Sequence, residues 1–135
     1  VDCGQYDKED MTDFITGCSF FIRTGIIDQV GSLGESYFMY MEDLDFSLRA
    51  KMAGFRVVYA PIKGVWHKNA QSSGVGSVTQ DYYIARNRLV FAVKYANTRA
   101  KLAVIRESFK ILMKGRPGQK KGIKDFYAKK FGVMK

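Results

Sequence analysis

The chain has 135 residues, 47% apolar, 14% aromatic and 26% charged. That is enough for one domain with a real core, too little for two ordinary ones, and too apolar for a disordered chain. Net charge is +9 but uneven: residues 1–67 carry ten acids against six bases, and residues 68–135 three acids against sixteen bases.

Other classes are set aside by simple counts. No apolar run approaches the roughly 20 residues that span a bilayer, and no charged-then-apolar leader opens the chain. Two prolines and 13 glycines exclude a collagenous or linker-like composition. Cys3 and Cys18 are too few for a disulfide framework and are expected to be reduced thiols of a cytosolic protein. A single histidine cannot supply a zinc cluster. Val1 in the first position is consistent with a piece of a longer protein.

In chain order, residues 15–23 read as a short buried strand. Thr24 looks like the N-cap of a short helix through Val30, closed by Gly31. Residues 32–36 are turn-like, and Tyr37 to Met41 form an aromatic run expected to be buried. Met41, Leu44, Leu48 and Met52 share one helical face, with Gly54 as the stop. Phe55 to Ala60 reads as a strand ended by Pro61, and Gly64 to His67 as another short one. Residues 69–79 have the composition of a mobile loop.

The basic half is expected to be helical. Tyr82, Ala85, Leu89, Val93 and Ala96 form one apolar stripe, and Leu102, Ile105, Phe109 and Met113 another. Asn97-Thr98 separates the two, and residues 115–118 break the second helix. Residues 123–131 form a last short helix, with Phe126, Tyr127 and Phe131 on its apolar side. The expected organisation is a first part over 1–77 and a basic amphipathic helical region over 78–135.

Glu42, Asp43 and Asp45 are the most informative residues. Three acids within four positions repel one another unless something positive lies among them. A helix start offers its dipole and free N–H groups, and Asp45 can pair with Arg49 at i, i+4. Alternatively a carboxylate at that helix start points into a cleft and takes a proton from a sugar hydroxyl. The two readings are compatible. His67 is either a satisfied structural residue or one metal ligand. Trp66 is either core or a stacking surface for a sugar ring.

Four pieces carry a resemblance: TGCSFFIR at 16–23, FMYMEDLDFSLRAKMAGFRVVYAP at 38–61, VWHKNAQSSG at 65–74 and YYIARNRLVF at 82–91. In this order and spacing, over about half the chain, they resemble the C-terminal half of an inverting family-2 glycosyltransferase of GT-A fold, rhamnosyltransferase-like branch. The resemblance implies an α/β fold, seen here as a partial GT-A domain of short strands and helices. It makes residues 1–77 the acceptor-side, catalytic part and implies Asp43 as catalytic base, with Glu42 and Asp45 shaping the acceptor pocket. It implies Gly17 and Cys18 along the donor–acceptor cleft and His67 as a ligand for Mn²⁺ or Mg²⁺ beside the donor diphosphate; Trp66, as a stacking surface, is counted on the acceptor side. The 69–79 loop would close over the nucleotide.

The family's nucleotide-binding half ends in a D-x-D motif that precedes the matched pieces. Here only 16 residues precede Gly17, and Asp7, Asp10 and Asp13 are too scattered for that motif. The expectation is a C-terminal fragment, inactive by itself. In the full enzyme it would move a sugar, rhamnose among the candidates, from a dTDP- or UDP-sugar to a polysaccharide or lipid-linked glycan with inversion. The basic helices are either solvated faces or a surface for anionic membrane at the inner face of the cell membrane. Nucleic acid is disfavoured, because no aromatic platforms interleave the bases. The alternative from another class is a non-catalytic membrane-surface or protein-interaction domain, in which the acids only cap a helix.

Overall fold

A computed structural model describes residues 3–62, 64–65, 67 and 76–134. Among them the elements are β1 (Asp10–Met11), α1 (Thr24–Val30), α2 (Glu42–Met52), β2 (Val58–Tyr59), α3 (Val78–Tyr95), α4 (Thr98–Lys114) and α5 (Pro117–Tyr127). The chain divides into two compact units: residues 1–34 with 43–67, and residues 35–42 with 68–135.

The first unit is poor in regular structure. β1 pairs antiparallel with β2, Asp10 opposite Tyr59 and Met11 opposite Val58. Thr12 N–H adds a bond to the Val57 carbonyl. The strand expected over 15–23 is instead irregular, with a turn at its centre, and the one expected over 55–60 shrinks to two residues. The physical reason lies in where the backbone donors go. Ile15 N–H bonds the Ser47 hydroxyl and Gly17 N–H the Asp43 carboxylate, so neither is available to a strand ladder. α1 fills the expected span, but its cap position is Arg23, which makes no side-chain cap bond, rather than Thr24. α2 stops at Gly54, whose φ of 88° is left-handed; Gly54 N–H returns to Lys51 and Phe55 N–H to Ala50. Among the described residues of this unit, Phe46, Ala50 and Val57 are the buried apolar ones, with Phe20 edge-on to Phe46 at 5.5 Å.

The second unit is built from α3, α4 and α5. Ser77 caps α3 by accepting from Gln80 N–H, and Asn97 caps α4 by accepting from Ala100 N–H. Residues 115–118 do end α4, but Pro117 opens α5 at its first position, six residues before the expected start at 123. Gln119 Oε1 accepts the Arg116 N–H at 2.9 Å and completes that start. α3 and α5 approach closely: a Cβ on Gly118 would collide with the Val78 carbonyl, and one on Gly122 with the Tyr82 carbonyl. Val104, Ile105, Ile111 and Leu112 of α4 pack on Ala85, Leu89 and Ile123.

The stripe expected on α4 is therefore split. Ile105 packs inward, whereas Leu102, Phe109 and Met113 are 63%, 54% and 69% exposed. The aromatic run 37–41 also splits, with Tyr37 buried and Phe38 half exposed. Of the short strand expected at 64–67, the described residues 64, 65 and 67 form none; of the loop expected at 69–79, residues 69–75 lie outside the described residues and 78–79 already belong to α3, which Ser77 caps.

Candidate active site

Asp43, the second residue of α2, is half-buried, and backbone fixes its carboxylate. Oδ1 accepts Leu44 N–H and Oδ2 accepts Gly17 N–H, each at 2.8 Å. This is how a helix start holds an anion: free N–H groups and the positive end of the dipole stabilise the charge. One donor here comes from a segment 26 residues earlier in the chain. Each carboxylate oxygen has two lone pairs, so each can still accept from an approaching hydroxyl.

Ser47 ties the same two pieces together a second time. Its hydroxyl donates to the Asp43 carbonyl at 2.8 Å and accepts Ile15 N–H at 3.2 Å. Thr16 and Cys18 flank Gly17, their Oγ1 and Sγ 3.1 Å apart, and Cys18 is exposed. A Cβ at Gly17 would meet Asp43 Oδ2 at 3.7 Å, an ordinary contact. What the site takes from Gly17 is thus its N–H.

Asp45 has a different environment. It is 1% exposed, and its Oδ2 accepts Arg49 Nε at 2.8 Å. Arg49 also donates to the Val30 and Ser32 carbonyls at the end of α1, and its guanidinium lies 5.3 Å from the Phe46 ring centre. Asp45 therefore neutralises a cation that ties α1 to α2. Its i, i+4 pairing with Arg49 was legible in the sequence; the carbonyls of residues 30–32 were not.

Glu42 is half-buried at the head of α2. His67 is exposed, and among the described residues no three His, Cys, Asp or Glu side chains gather as a metal cluster. Trp66 lies outside them.

Sequence reading missed a second polar centre, around Arg86 and Asn87. Arg86 lies in the basic half, whose charges were expected on solvated faces or a membrane surface, yet it is 0% exposed. Its guanidinium donates to the carbonyls of Ser36, Tyr37 and Gly132 and lies about 5 Å from the Tyr82 and Tyr83 rings. Asn87 Nδ2 donates to the carbonyls of Tyr37, Met39 and Tyr40. The clamped segment carries Phe38, Tyr40 and Met41 at φ of 62°, 66° and 74°, which non-glycine residues hold only when their surroundings compel it. That segment ends at Glu42, one residue before Asp43. The one available signal was the adjacent Arg-Asn on an otherwise apolar helix face.

The sequence pattern described as "Glycosyltransferase like family 2" matches residues 1–92, which include Gly17, Asp43, His67 and Arg86. The chain belongs to that family. Among the relatives of this family-2 chain is N-acetylglucosaminyl-diphospho-decaprenol L-rhamnosyltransferase of Mycobacterium tuberculosis. It is 41% identical over 61 residues, which cover 45% of this chain and 20% of the relative. Rhamnosyltransferase WbbL of Escherichia coli K12 is 34% identical over 54 residues, covering 40% and 20%. The family-2 chain thus matches about a fifth of the length of these curated relatives. No solved structure matches it.

Proposed function

We propose that this chain is the acceptor-side part of an inverting glycosyltransferase, a partial GT-A domain followed by a basic helical region, with Asp43 as the base. The observation that carries the reading is the Asp43 carboxylate, held by two backbone N–H groups and still reachable. In the proposed step Asp43 takes the proton of an acceptor hydroxyl as its oxygen attacks the anomeric carbon of a nucleotide sugar. The new C–O bond forms as the bond to the diphosphate breaks on the opposite face, and a nucleoside diphosphate leaves. The donor is a dTDP- or UDP-sugar, with rhamnose favoured by the relatives' names, and the acceptor is a polysaccharide or lipid-linked glycan.

Glu42 completes the acceptor side in this reading, with Trp66 offering an apolar face to a sugar ring. Gly17 supplies its N–H, and Cys18 stands next to it on the acceptor side. Asp45 acts through Arg49, holding α2 in place rather than touching the acceptor. A divalent ion for the diphosphate takes its ligands mainly from outside the described residues, His67 giving at most one. The location proposed is cytoplasmic, peripheral at the inner face of the cell membrane.

The test is the product's anomeric configuration, read by NMR coupling constants after turnover by the protein that carries this chain. Configuration opposite to the donor's is expected; retention would contradict a single displacement. The 135-residue chain alone is expected to bind nucleotide sugar negligibly by calorimetry, and micromolar affinity would put the donor site within it.

A further inference from the structure

The outer face of α4 carries two parallel stripes. At about 100° per residue, Leu102, Phe109 and Met113 fall within about 40° of one another, and Arg99, Arg106 and Lys110 occupy roughly the adjoining 40°. All six are exposed. Tyr127, 45% exposed, extends the apolar edge by stacking on Phe109 at 6.0 Å. The helix does not need this edge for its own packing, because Val104, Ile105, Ile111 and Leu112 already bury the opposite side.

Charge decides which occupant fits. Residues 98–135 carry twelve bases and two acids. Of those acids, Asp125 is buried and bonded to Tyr82 and Lys121, and Glu107 sits 3.2 Å from Lys110. The surface around the apolar edge is therefore strongly positive. A nucleic acid would meet the cations but offers no apolar bed for Leu102 and Met113. An anionic bilayer offers both, with phosphates at the level of the guanidinium and ammonium groups and hydrocarbon just below.

We propose that this face of α4 docks on an anionic lipid bilayer, lying in the plane of the interface with Leu102, Phe109 and Met113 inward. This gives the peripheral location proposed above a specific surface. It rests on charge and exposure, and its test reads vesicle binding alone, so it can fail while the transferase reading stands.

The experiment is co-sedimentation of the 135-residue chain with phosphatidylcholine vesicles, with and without phosphatidylglycerol, at low and high salt. Binding to the anionic vesicles only, weakened by salt, is expected. The pair Arg99→Glu and Arg106→Glu should lower vesicle affinity at least about 30-fold, at roughly fivefold per charge removed. The pair Lys8→Glu and Arg56→Glu, exposed residues of the other unit, changes net charge equally and should leave affinity within about threefold. Phe109→Ser with Met113→Ser should cost about tenfold or more, with the thermal melt by circular dichroism unchanged. Absence of pelleting with anionic vesicles at low salt would overturn the proposal. So would equal losses from the two charge pairs, or full binding by the serine variant. A dimer of the parent chain that the serine pair turns into a monomer, without vesicle binding, would assign the face to a second copy instead.

Discussion

Asp43 of the first unit and Arg86 of the second are held in opposite ways. The Asp43 carboxylate is held by two backbone N–H groups, beside an Asp45 held by Arg49. The Arg86 guanidinium is held by three carbonyls and two tyrosine faces. Asp43 stays half-buried, whereas Arg86 is sealed. On the reading proposed above, the difference separates a group kept for chemistry from one kept for architecture: the Asp43 carboxylate is oriented without being enclosed, while the guanidinium that clamps a strained segment is fully enclosed.

The sharpest way to break that contrast is to remove Arg86. Arg86→Ala leaves the Gly132 carbonyl without its donor, takes one donor from each of the Ser36 and Tyr37 carbonyls, which keep others, opens a cavity between the tyrosine rings and is expected to cost about 3–5 kcal/mol in chemical denaturation. A loss below about 1 kcal/mol would mean that those carbonyls find other donors easily and that the clamp is incidental.

Gly122 tests the packing that surrounds the clamp. Gly122→Ala drives a methyl against the Tyr82 carbonyl, where α3 and α5 are closest. The expected cost is about 1–3 kcal/mol of stability. Gly17→Ala in the other unit meets only an ordinary contact and should be near neutral.

The smallest expected effect is on pH dependence. Burial raises the Asp125 carboxyl, the largest single influence, but hydrogen bonds from Tyr82 and Lys121, with the Lys121 and Lys130 charges, together carry it below its usual 3.8. A lowered carboxylate contributes stability above its unfolded value and loses it as pH falls through the folded one. Burial first, then the bond to Asp125, raises Tyr82 above its usual 10.0 against the pull of Arg86. That contribution is complete below pH 10 and fades above it. Melting of the helical unit should therefore be flat between these limits, with an acid limb below about 3.8 that Asp125→Asn weakens. An acid limb unchanged in Asp125→Asn would remove Asp125 as its source.

Much of this was legible in the sequence, in a pattern set by range. The α1 to α4 spans followed from periodicity and local stop signals such as Gly31 and Gly54, because a helix closes its bonds within four residues. The strand at 15–23 was misread, and the one at 55–60 is present only as Val58–Tyr59, because a short apolar run says nothing about its partner. The 15–17 backbone instead bonds side chains of α2. The α4 stripe was misread because Val104, Ile105, Ile111 and Leu112 make a second apolar face, and periodicity alone does not choose which one is buried. At the site, Asp43 stood out through its acidic neighbours and the family resemblance. The Gly17 N–H, the Arg49 carbonyl clamp and the burial of Arg86 depend on contacts 17 to 50 residues apart, which local patterns do not record.

The most direct test of the central claim compares Asp43→Asn with Asp45→Asn in the protein that carries this chain, measuring turnover and melting of each. Asp43→Asn is expected to lower kcat at least about 10²-fold while costing only about 1 kcal/mol of stability, since one of its two backbone donors keeps an acceptor. Asp45→Asn can leave Arg49 Nε an acceptor but removes the buried charge that neutralises the guanidinium, and is expected to cost about 2–4 kcal/mol, with kcat of the folded fraction changed less than about tenfold. Near-parent turnover by Asp43→Asn, or a larger kcat loss in folded Asp45→Asn, would contradict the assignment of Asp43 as the base.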